Sequence, residues 1–116
     1  MADRLQVITH KGRTILAVDY TGLTPQQIVE LFPSVTRMSI EKKIPLIFTD
    51  VTGTYSSPEI KTAAAKSIQD TKAALGVLHS AILGIHGIQK LIANAIVKDQ
   101  FFAGSREEAL DWLAKK

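Results

Sequence analysis

Cysteine is absent from this 116-residue chain, so no disulfide staples it and no thiolate can act as nucleophile or metal ligand. Long apolar runs are missing as well. Runs such as Ala81-Ile82-Leu83-Gly84-Ile85 are strand-sized and far short of the ~18 residues that a membrane-spanning helix needs. The opening Met1-Ala2-Asp3-Arg4-Leu5-Gln6 lacks the basic region and apolar core of a signal peptide, and the expectation is a cytoplasmic protein. The net charge of +3 comes mostly from scattered lysines; only Lys42-Lys43 and Lys115-Lys116 are paired. A nucleic-acid surface would show a basic stripe, usually with arginines or aromatics interleaved, and none is present. There is no low-complexity segment, no linker and no internal repeat. Histidines and carboxylates do not fall at metal-ligand spacing, so no metal and no cofactor is expected. Also missing are a Ser/His/Asp order, a Gly-x-Ser-x-Gly elbow and a phosphate-binding Gly-Lys loop.

What is present is an alternation of strand and helix patterns in a chain of one-domain length. Leu5 to His10 and Thr14 to Tyr20 read as two strands joined at Lys11-Gly12-Arg13, a β-hairpin. Thr24-Pro25-Gln26-Gln27 is a helix start with N-cap, N1 proline and capping box. Ile28, Leu31, Phe32, Val35 and Met38 then form one apolar face, and Pro33 predicts a kink near Val29. Leu46 to Val51 reads as a strand buried on both faces.

A second helix begins at Ser56 or Ser57, with Ile60, Ala63, Ala64, Ile68 and Thr71 on the side expected to approach the sheet. Val77 to Ile85 reads as a buried strand. Ile88, Leu91, Ile92, Ala95 and Ile96 repeat with helical period. Phe101-Phe102-Ala103 is a short last strand, and Ser105-Arg106-Glu107-Glu108 is a second capping box opening the final helix. The expected fold is a single α/β domain over residues 1–116 with a mixed, mostly parallel sheet in the order β-β-α-β-α-β-α-β-α. Its predicted sheet core is Leu16, Val18, Leu46, Ile47, Phe48, Val77, Ala81 and Leu83.

The ordered set Ile15-Leu16-Ala17-Val18-Asp19-Tyr20-Thr21-Gly22-Leu23, Asp50-Val51-Thr52-Gly53-Thr54-Tyr55, Ala81-Ile82-Leu83-Gly84-Ile85-His86-Gly87-Ile88-Gln89-Lys90 and Ser105-Arg106-Glu107-Glu108-Ala109-Leu110-Asp111-Trp112-Leu113 resembles the STAS/SpoIIAA-like group of small bacterial proteins. The resemblance implies a compact β/α module that works by protein–protein contact or binds a nucleotide or other small ligand. In the anti-sigma-factor antagonists of that group, a serine at the start of the second helix is phosphorylated. Ser56 and Ser57 stand near that place, but the acidic residue before and the glycine after are missing here. The plain reading of these serines is a helix N-cap.

The stretch from Ile44 to Glu59 is the expected working surface, because an apolar strand there runs through a Thr/Gly/Ser loop into a helix start. In open α/β sheets ligands gather at the carboxyl ends of strands. Thr52, Gly53, Thr54 and Tyr55 offer hydroxyls and a close backbone approach. Ser56 and Ser57 are candidate phosphoacceptors, and His86 and Gly87 flank a second strand end. The bland readings are a polar loop with a glycine turn and a solvent-exposed histidine. Asp50 is expected to cap the loop backbone. One of Phe101 and Phe102 should enter the core, and Trp112 should pack on the sheet.

The function expected is a non-enzymatic module binding an unknown protein partner or small ligand, a lipid or nucleotide among the candidates, with no nucleic acid and no membrane span. The alternatives are a small enzyme with catalytic groups at the same sheet edge, and a phosphoserine-switched anti-sigma-factor antagonist. An exposed sheet edge or helical face would give a two-fold homodimer, with the monomer as its alternative.

Overall fold

The computed structural model describes residues 4–54, 57–84 and 100–116. Their elements are β1 (Leu5–His10), β2 (Arg13–Asp19), α1 (Pro25–Lys42), β3 (Leu46–Asp50), α2 (Pro58–Leu75), β4 (His79–Leu83), β5 (Gln100–Ala103) and α3 (Arg106–Ala114). The five strands form one sheet in chain order, β1-β2-β3-β4-β5. β1 is antiparallel to β2, and β2 through β5 are parallel. The fold is thus α/β with a mixed, mostly parallel sheet. The helix expected over Ile88 to Ile96 lies outside the described residues.

The hairpin follows from its turn. Lys11 and Gly12 both take positive φ, 50° and 83°, as a two-residue type I′ loop requires, and this pairs His10 with Arg13. At the start of α1, the Thr24 hydroxyl accepts the Gln27 N–H while the Gln27 side chain accepts the Thr24 N–H. α1 continues through Pro33 as one helix. The proline sits on the exposed side, where water can take the Val29 carbonyl it leaves free. The helix stops at Lys43, in the left-handed region at φ 55°, and the buried Ser39 hydroxyl donates to the Ile44 carbonyl at 2.6 Å.

Strand alternation sorts the core into two faces. Leu16, Val18 and Ile47 point to the side covered by Ile28, Leu31 and Val35 of α1, with Ile60 and Ile68 of α2 packed against the same cluster. Ile15, Ala17, Leu46, Phe48, Ala81 and Ala103 point to the other side, under Ala109, Leu110 and Leu113 of α3. Ala109 and Ala81 are both fully buried, so α3 lies close on the middle of the sheet.

Four expectations change. Val77 is not core but 41% exposed. Gly76 ends α2 at φ 81° and strand pairing begins only at His79, so Leu78 takes the buried place. Leu83, at the strand end, is half-buried. The alanine side of α2 is half-buried, and α2 runs close along α1, where Thr36 and Ser67 share a hydroxyl bond of 2.5 Å. The second capping box is displaced: Ser105 accepts the Glu108 N–H, but the Glu108 carboxylate takes the N–H of Gly104 rather than that of Ser105.

Candidate functional site: the carboxyl edge of the parallel strands

The last residues of the four parallel strands stand in a single row, with Asp19 beside Asp50, Asp50 beside Leu83 and Leu83 beside Ala103. Each strand but β4 leads, among the described residues, to a helix start at this edge: Thr24, Ser57 and Ser105 are the N-caps of α1, α2 and α3. The strand direction therefore gathers three helix N-termini, with their unpaired N–H groups, at one end of the sheet.

Two of the loops share a design. In Asp19-Tyr20-Thr21-Gly22 the carboxylate accepts the Thr21 N–H at 2.9 Å and the Thr21 hydroxyl at 2.5 Å. In Asp50-Val51-Thr52-Gly53 the carboxylate accepts the Thr52 N–H at 3.0 Å and its hydroxyl at 2.7 Å. Gly22 and Gly53 close these turns at φ 74° and 77°, and among the described residues nothing lies within 4 Å of where a Cβ would stand. The Asp-x-Thr-Gly pattern thus occurs twice, in register on neighbouring strands. This four-residue pattern corrects the expectation of no internal repeat: it is too short to stand out along the chain and becomes a pair only when the strands are aligned.

The loops are tied to the sheet. Tyr20 N–H donates to the Asp50 carbonyl at 2.9 Å, and Val51 N–H to the Leu83 carbonyl at 2.8 Å. Arg4 donates to the carbonyls of Asp19 and Thr21, at 3.1 and 2.9 Å. The Thr21 hydroxyl bond, helped by the Thr21 N–H and the Arg4 guanidinium, outweighs desolvation and holds the Asp19 carboxyl below its ordinary range. Burial pushes the Tyr20 phenol far above its ordinary value, and its ring leans on Phe32 with centroids 5.6 Å apart. Gly84 leaves β4 at φ 104° directly against Thr52; a Cβ there would lie 2.5 Å from the Thr52 nitrogen.

Of the residues singled out from sequence, Thr52 and Gly53 are exposed on the turn after β3. Thr54 is half-buried, its hydroxyl donating to the Val51 carbonyl at 2.6 Å. Ser57 is the N-cap of α2, accepting the Ile60 N–H at 3.2 Å. Tyr55, Ser56, His86 and Gly87 lie outside the described residues. Asp50 caps the loop backbone, as expected. Phe102 is buried while Phe101, half-buried on the other face, stacks on Trp112. Sequence reasoning passed over Asp19, Thr21 and Gly22, which build the twin of the Asp50 turn.

Among the described residues no three His, Asp or Glu side chains converge as metal ligands, and no helix is long and apolar enough to cross a membrane. No protein-family model matches the chain, and no curated protein matches it.

Proposed function

We propose that this chain is a non-enzymatic binding module, of the kind its STAS-like sequence pattern suggests, that meets a small ligand or protein partner at the carboxyl edge of its parallel strands. The observation that carries this reading is the matched pair of Asp-x-Thr-Gly turns at Asp19 and Asp50. Both turns are held by their own hydrogen bonds, and among the described residues nothing stands within 4 Å of where a Cβ would lie on either glycine. Rigid loops lower the ordering cost of binding, and bare glycine lets a ligand reach the main chain. The surrounding helix starts favour a group bearing a negative or carbonyl oxygen.

An enzyme at the same edge has weaker support. The Asp19 and Asp50 carboxylates are each committed to the N–H and hydroxyl of the threonine in their own turn. The phosphoserine switch has no specific support at Ser57, whose hydroxyl is engaged as a cap, and Ser56 lies outside the described residues. A broad substrate screen tests the choice between module and enzyme. Binding without turnover is the expected result. Turnover that Asp50→Asn or His86→Ala abolishes would overturn the reading in favour of the enzyme.

A further inference from the structure

The outer side of α3 carries a second feature, and it does not depend on the binding proposed at the strand ends. An open hollow of about 420 Å³ is lined by Phe101, Glu107, Glu108, Asp111, Trp112 and Lys115. Its apolar element is an aromatic stack: Phe101 and Trp112 lie nearly parallel, 13° apart, with centroids separated by 5.2 Å. His79 meets Trp112 edge-on at 6.1 Å and fixes the ring from the side. Trp112 is half-buried rather than sealed in the core. A cation already stands over this ring, for the Lys116 ammonium is 4.5 Å from the Trp112 centroid. The ring face therefore accepts positive charge in the free chain.

The charge of the rim agrees. Asp111 is shared with His10 at 2.7 Å and Lys11 at 3.0 Å, and the Glu108 carboxylate accepts the Gly104 N–H at 3.1 Å, so Glu107 is the acidic lining residue best placed to meet an incoming cation. Glu107 is exposed, and Lys115 is the cationic lining residue. A rigid indole face bordered by carboxylates suits a guanidinium or ammonium group, which gains from the ring and from the acidic rim together. The hollow is open. It would not enclose most of a small molecule, as ligand pockets do, but it would take one side chain protruding from another surface.

The geometry points to Trp112 as the seat of a basic side chain, an arginine for preference, from a protein partner docking on α3, with Lys116 holding the place when the partner is absent. Displacing Lys116 is the exchange this implies: one cation leaves the ring as another arrives.

Trp112 is the chain's one tryptophan, so fluorescence excited to the red of the absorption of the two tyrosines reports on this place alone. The test titrates the protein with N-acetyl-arginine amide, and with the uncharged N-acetyl-citrulline amide as control. A saturable change with arginine and none with citrulline is expected. Lys116→Ala removes the internal competitor and should tighten the midpoint by about two- to five-fold, while Glu107→Gln should weaken it. Equal, non-saturating quenching by both compounds would overturn the proposal. So would an arginine midpoint that Lys116→Ala leaves unchanged, since the cation would then be seated away from the ring.

Discussion

Gly84 leaves β4 with its backbone in the left-handed region and the Thr52 main chain where a side chain would otherwise begin. Gly84→Ala should therefore cost at least ~2 kcal/mol, from backbone strain and overlap together, as read by chemical denaturation. Gly53→Ala has the same sign of φ but, among the described residues, nothing within 4 Å of the added Cβ, and should cost only about 1 kcal/mol. That contrast was not legible in the sequence, where both are glycines after a strand. The capping role of Asp50 was legible, because an Asp two residues before a Thr at a strand end is a local arrangement.

Asp19 adds a pH dependence. Its carboxyl is held below the ordinary value of 3.8, first by the Thr21 hydroxyl. A depressed folded-state pKa contributes stability above the unfolded value, and that contribution is lost as the pH falls through the folded one. Unfolding measured between about pH 6 and pH 2 should thus steepen below about pH 4, and Asp19→Asn should make that acid limb shallower. An unchanged acid limb would contradict the Thr21 bond as its source.

Among the elements, those written in local signals came through best. Thr24-Pro25 and Ser57-Pro58 start helices where the capping rules place them. Ser57→Ala should cost roughly 1 kcal/mol in thermal or chemical unfolding, the ordinary loss for an N-cap. Phosphopeptide mapping of protein from its native host should find Ser56 and Ser57 both unmodified; stoichiometric phosphate on either would favour the switched reading. The strand Leu46–Asp50 was recognisable from its apolar run, and Ile47 lies in the cluster under α1. Ile47→Asp should abolish the cooperative folding transition, because a carboxylate buried there meets only apolar groups. Val77 was misplaced because its apolar neighbours extend the strand pattern by two residues, whereas Gly76 and the pairing of β4 with β3 set the real boundary. The position of α2 beside α1 was likewise hidden, since an alanine-rich face fits closely against a helix or a sheet alike.

For the whole molecule, the parallel sheet was legible from the alternation of strands and helices, and with it the meeting of the Ser57 and Ser105 helix starts at one edge; the start expected near Ile88 lies outside the described residues, and Thr24 joins the edge only in the structure. The strand order was not legible, because pairing is a long-range property. Only the register brings Asp19 beside Asp50 and turns two ordinary tetrapeptides into a matched pair. The most direct test of that edge as a binding surface is a native mass spectrum of the protein purified from its own host, alongside Gly53→Lys. Lysine is already held at positive φ at positions 11 and 43, so the substitution should preserve the turn while setting a long side chain over it. If ligands or partners bind at this edge, the unaltered protein carries an added mass that the variant lacks. A bare chain in both spectra, or the same added mass on both, would contradict it.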